Sequence, residues 1–228
     1  MIIRYSICRS REVIAKRFGM KVDGHYKPNF NAVCKDKLPI ITNDKPDELQ
    51  FFQWGIVPYD SVDPLIAEKL INARTETVFV KKPYSELIQS KRCLILCDGF
   101  YIWEKGRNTP YRMSLKNNEL FTVAGIWDKW EDEYDENKFF NTFSMLTVEA
   151  ASDSKHINER IPAILQPDME KKWFQKNFST HMDNLFIAPE KLDLYKVSNE
   201  ITDPKNNHSR LILPIEKRVD KDGGLSLF

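Results

Sequence analysis

At 228 residues the chain suits one sizeable domain, or at most two small ones. Hydrophobic residues make up 42% of it and there are five tryptophans, enough for a core, which excludes a disordered chain. The formal net charge is only +1, so a nucleic-acid partner would have to be met by a local basic patch and not by a whole-molecule field.

No apolar run reaches the ~18–20 residues of a membrane span, and Arg4 comes too early for a secretory leader. The four cysteines, Cys8, Cys34, Cys93 and Cys97, are irregularly spaced and read neither as a disulfide framework nor as a zinc pair. The expectation is a reduced, cytoplasmic, monomeric protein with no cofactor and no metal.

In chain order, Met1–Ser6 reads as a strand. Ser10 then caps a short helix with Val13, Ile14 and Phe18 on one face and Gly19 as its stop. Gln50–Ile56 is strand-like, with Pro58 closing it, and Tyr84–Ser90 has a helical pattern. Cys93–Cys97 is a near-continuous apolar run, as in a strand buried on both faces.

Tyr111–Met113, Phe121–Trp127 and Phe139–Val148 are further strands, the last two flanking the acidic turn Glu131-Asp-Glu-Tyr-Asp-Glu136 in a long hairpin. Ile161–Leu165 is another strand, Pro167-Asp168 opens a helix carrying Trp173 and Phe174, and Leu194–Val197 closes the series. Short strands mixed with a few short helices, without βαβ alternation, predict an α+β fold around a curved, largely antiparallel, barrel-like sheet. A single domain over 1–214 and a flexible tail over 215–228 complete the expectation.

Five ordered pieces carry a resemblance. They are Arg4-Tyr5 near the start, Trp54-Gly-Ile-Val-Pro58, Asn72-Ala-Arg-Thr-Glu-Thr77, Arg92-Cys-Leu-Ile-Leu-Cys-Asp-Gly-Phe-Tyr-Ile-Trp103 and Arg160-Ile-Pro-Ala-Ile-Leu165. Together they resemble the SRAP family, the SOS-response-associated peptidase-like proteins that capture abasic sites in single-stranded DNA. The resemblance implies a site in which a cysteine at position 2, freed of the initiator, offers amine and thiol to the aldehyde of an opened abasic sugar and closes a thiazolidine ring. An asparagine holds that site, a glutamate moves protons and a histidine assists.

Here the asparagine matches as Asn72, while Ile2, Ile102 and Asn158 occupy the cysteine, glutamate and histidine positions. Cys8 shares strand parity with position 2 but lies roughly 20 Å away along an extended strand, too far to replace the thiol. Glu104 and His156 each fall two residues from the expected positions, about 7 Å off on the same face of a strand. Proton transfer needs an approach of about 3 Å, so a solvent-exposed Glu104 and a loop His156 stand beside displaced catalytic roles. A bulky Ile2 is expected to retain Met1, whose α-amine would then be the remaining nucleophile. With a pKa near ~7.7–8 such an amine can form a Schiff base.

DNA binding depends on other groups. Arg4, Arg74 and Arg160 lie inside the matched motifs and suit phosphate recognition. Arg9, Arg11, Lys16 and Arg17 add a basic N-terminal face against Glu12. Trp54 and Trp103 are either base-stacking surfaces or core, and Arg74 with Glu76 could form an internal ion pair. His25, His181 and His208 read as surface residues.

Three readings follow. The first is a SRAP-like pseudoenzyme bound to single-stranded or junction DNA at damage, cytoplasmic and nucleoid-associated. The second is a residual Schiff-base or lyase enzyme using the Met1 amine. The third is a catalytically dead protein-interaction module.

Overall fold

The computed structural model describes residues 2–104, 106–135, 137–150, 158–175, 185–187 and 192–215. Its elements are β1 (Tyr5–Ile7), α1 (Arg11–Phe18), β2 (Asn29–Ala32), β3 (Lys37–Thr42), β4 (Gln50–Trp54), β5 (Asn72–Arg74), α2 (Tyr84–Ser90) and β6 (Arg92–Cys97). They continue with β7 (Gly99–Trp103), β8 (Pro110–Leu115), β9 (Phe121–Glu131), β10 (Phe139–Glu149), β11 (Arg160–Pro162), α3 (Glu170–Trp173) and β12 (Leu192–Lys196). Short 3-10 turns at Pro64–Lys69, Pro167–Met169, Asn199–Thr202 and Ser209–Ile212 link them.

The local signals in the sequence set the helix ends. Ser10 Oγ accepts from the Val13 N–H at the start of α1, and Gly19 takes a left-handed φ of 66° at its end while its N–H returns to the Ala15 carbonyl. That conformation disfavours any residue with a Cβ. Where Pro167 predicts a helix start, the chain makes one 3-10 turn before the single α-turn of α3. The expected strand over Ile161–Leu165 is a three-residue β11 followed by isolated bridges at Ile164 and Leu165.

β10 pairs with β9 along one edge and, in parallel, with β4 along the other, so β4, β3, β6, β9 and β10 close into a ring. β6 is buried at every position, the apolar run Cys93–Cys97 together with Arg92 at its start. The C-terminal half of β10 also receives β5 in parallel and β11 antiparallel. A second sheet runs β12-β8-β7-β1-β2, all antiparallel. The architecture is mixed α+β with a barrel-like, largely antiparallel core, and one apolar cluster spans both sheets.

The sheets meet at a buried ion pair. Asp98, in the sharp step between β6 and β7, is fully enclosed. It accepts from Ser6 Oγ at 2.6 Å, from the Cys8 N–H at 2.6 Å and from Arg112 Nη2 at 3.1 Å. Arg112 also donates to Tyr195 Oη on β12 at 2.9 Å. Burial alone would lower the Arg112 pKa, but Tyr195 and Asp98 outweigh it and hold it raised.

The guanidinium lies flat against Gly99: a Cβ there would stand 2.4 Å from its Cζ. Because the ion pair pins Arg112, the clash has no cheap relief. Gly99→Ala is expected to lose about 1–3 kcal/mol of stability, read from urea unfolding midpoints; an unchanged midpoint would refute the packing account.

Residues 216–228 lie outside the described residues, and the flexible tail expected there with them. Among the described residues no helix is long and apolar enough to cross a membrane.

Candidate functional site

The fold brings Asn72 to the second residue of the chain, 70 positions away. Asn72 opens β5, whose parallel pairing sets it opposite Met145 of β10. Its Nδ2 donates to the Ile2 carbonyl at 2.6 Å, and its own carbonyl accepts from Tyr84 Oη at 3.2 Å. Burial pushes the Tyr84 phenol up to about 12, so it remains a neutral donor across the physiological range. Asn72 Oδ1 is buried with no hydrogen-bond partner among the described residues. A buried acceptor left open is costly, and this one lies on the side chain that grips the start of the chain.

The Ile2 side chain is fully enclosed and Ile102 is 1% exposed, both in the main apolar cluster. Ile102 sits in β7 opposite Tyr111 of β8. Hydrocarbon therefore stands at both positions, and neither can supply a thiol or move a proton. Asn158 accepts from the Arg160 N–H at 3.4 Å, a turn contact at the entrance to β11.

The displaced candidates are placed as follows. Glu104 begins the β7–β8 turn, where its carboxylate faces Arg107 at 3.4 Å and Tyr111 Oη at 3.5 Å, and it is largely covered. The solvent-exposed Glu104 of the sequence reading is corrected accordingly: two neighbours in its own hairpin occupy it. Met1 and His156 lie outside the described residues, as does His181. Cys8 is half-buried, its thiol pushed up to about 12 by burial and then by Asp98, so it is no nucleophile.

The residues expected to meet DNA divide. Trp54 is fully buried, edge-to-face on Tyr5 at 5.1 Å, and its indole N–H donates to the Ile71 carbonyl at 2.9 Å. It is core, and no face remains for a base. Trp103 is half-buried against the small cluster of Tyr101, Val197, Ile201 and Leu211.

Arg4 donates to Asn31 Oδ1 at 3.0 Å and to the Thr202 carbonyl at 2.6 Å, and burial lowers its pKa. It ties the first strand to the 3-10 turn at Asn199–Thr202. The basic N-terminal face is thinner than its composition suggests, because Arg9 lies 3.8 Å from Asp98 and Arg17 pairs with Glu170 at 2.7 Å. Arg74, by contrast, is exposed.

Glu76 does not pair with Arg74 as the short spacing suggested. It forks onto Arg160, Oε1 to Nη1 and Oε2 to Nη2, both at 2.9 Å. Arg160 also donates to the Thr147 carbonyl and hydroxyl on β10. Burial tends to raise the Glu76 pKa, but the Arg160 hydrogen bonds win and hold it below the usual value. Tyr84 and Thr147 were not singled out from the sequence, where a tyrosine opening a helix and a threonine in a strand carry no distinguishing signal.

A closed five-strand barrel, with Asn72 on a flanking strand bonded to the Ile2 carbonyl, defines a barrel-centred α+β class. The chain belongs to the SRAP family: the family model described as SOS response associated peptidase (SRAP) matches residues 1–204. Among its relatives, the abasic site processing protein YoaM of Bacillus subtilis is 34% identical over 197 residues, covering 83% of this chain and 86% of that one. The abasic site processing protein HMCES of Gallus gallus is 28% identical over 236 residues, covering 88% of this chain and 70% of its own length. A crystal structure of a protein from Bacteroides thetaiotaomicron superposes with a TM-score of 0.83 at 27% identity, over 94% of this chain and all of that one.

Proposed function

We propose that this chain binds single-stranded or junction DNA at abasic sites and does not form the family's durable thiazolidine crosslink. One observation carries the reading: Asn72 still holds the carbonyl of residue 2, yet the side chains at positions 2 and 102 are buried isoleucines. A ring needs an amine and a thiol on one residue, and position 2 offers no sulfur. Relatives named as abasic site processing proteins support DNA damage as the setting.

The open Oδ1 of Asn72 favours a second reading. An amine at the chain start could donate to it and be steered toward an aldehyde. Amine and aldehyde would then give an imine and one water, reversibly, with no sulfur to trap the carbon.

The test is a denaturing gel of the protein with abasic single-stranded DNA, with and without borohydride. No adduct in either lane, with salt-dependent binding of the oligonucleotide, is the expected result. An adduct trapped only by borohydride selects the amine enzyme, and a stable adduct without reductant overturns both. Absence of any DNA binding would leave the protein-interaction module, which the near-zero net charge and the internal engagement of Arg4 favour.

A further inference from the structure

We propose that Glu76 is an internal competitor for DNA phosphate, occupying the arginine fork that a phosphodiester would use and so setting the affinity threshold of the site. The inference rests on the DNA-binding reading above. Three features carry it.

The first is geometry. Both Glu76 oxygens meet the two terminal nitrogens of Arg160 at 2.9 Å, the parallel two-bond arrangement by which arginine recognises a phosphate. The second is how Arg160 is anchored. Nε donates to the Thr147 hydroxyl and Nη2 to the Thr147 carbonyl and hydroxyl, so Thr147 holds the guanidinium against β10 while its two terminal nitrogens meet Glu76. Its side chain is 15% exposed whereas that of Glu76 is 50% exposed, which makes the acid the movable partner.

The third is placement. β5 and β11 pair with β10 over Met145–Thr147 and Thr147–Glu149, so the segments bearing Arg74 and Arg160 converge on Thr147. Glu76 follows directly on β5, and Arg74 is exposed beside it. Withdrawal of Glu76 would free the two terminal nitrogens of Arg160 beside the exposed Arg74, a site suited to consecutive phosphates, with Glu149 opposite Arg160 in the ladder and Glu159 beside it in the chain as the neighbouring acids. With Glu76 in place, a phosphate must displace a carboxylate that already satisfies the fork, which disfavours weak, nonspecific polyanions.

The experiment measures binding of an intact single-stranded oligonucleotide across a salt series for the natural chain, Glu76→Gln, Arg160→Gln, the double variant and the exposed control Glu119→Gln. Glu76→Gln is expected to bind roughly 3–10-fold tighter at ~0.1 M salt and to steepen the salt slope by about 0.7, the increment for one added phosphate contact on a single strand. Arg160→Gln should weaken binding, the double variant should lose the gain, and Glu119→Gln should change neither quantity. Thermal melts establish that each variant is folded.

If the natural chain binds and Glu76→Gln leaves affinity and slope unchanged, competition is refuted while DNA binding stands. An equal gain in Glu119→Gln would also refute it, since bulk charge would explain the effect. If neither the natural chain nor Glu76→Gln binds DNA, the functional reading falls and the competitor with it.

Discussion

Asp98→Ala is expected to destabilise the fold by about 3–5 kcal/mol, the usual consequence of leaving one charge of a buried pair uncompensated. Arg112 is 1% exposed and cannot reach water without opening the packing between β7, β8 and β1. The same substitution removes the acceptor of the Ser6 hydroxyl and of the Cys8 N–H, both bound at 2.6 Å. Urea unfolding followed by tryptophan fluorescence reads the change. The paired replacement Asp98→Asn with Arg112→Met, which removes both charges, should recover part of the loss. A loss below about 1 kcal/mol in Asp98→Ala would mean that the pair is solvated in solution and does not tie the sheets.

The second large effect concerns chemistry. Ile2→Cys is expected to convert a chain that forms no durable adduct into one that does so without reductant. A small second residue permits removal of Met1 and exposes an amine and a thiol on one residue. The amine condenses with the sugar aldehyde, releasing water, and the thiol adds to the imine carbon to close the ring, so no oxidant or reductant is involved.

Asn72 already holds the carbonyl of residue 2, so the geometry on the backbone side is in place. With Ile102 unchanged no acid assists, and the adduct should form slowly; adding Ile102→Glu should accelerate it, at a cost in stability for a carboxylate placed in a buried position. N-terminal mass and a denaturing gel with abasic oligonucleotide read the outcome. A variant that has lost Met1 and binds the oligonucleotide, yet never forms the adduct, would show that the aldehyde is not delivered to residue 2.

Much of the fold was legible because its signals are local. α2 spans Tyr84–Ser90 as its pattern predicts, and Ser10 and Gly19 bound α1. The β9–β10 hairpin is longer than the apolar pattern suggested, since Asp128 and Trp130 on β9 are buried by the cover of the Tyr59 segment and Phe140. Pattern alone does not pick out β3, which contains Pro39. The structure accommodates the proline because β6 pairs only from Ile40 onward, so on that side Pro39 owes no ladder hydrogen bond.

For the candidate site, local sequence proposes a frame and its gaps. Asn72, Ile2 and Ile102 could be named because motif spacing survives divergence, and the chemistry a side chain lacks is evident from its identity. Spacing could not tell which groups meet. Trp54 lies in the core because two sheets close over it. Arg4 is drawn to a turn near residue 200. Glu76 passes over Arg74, two residues away, for Arg160, 84 residues away, because β5 and β11 both pair with β10. Covalent potential belongs to single residues and is written in their order. Electrostatic availability belongs to pairs, and pairing is a property of strands brought side by side.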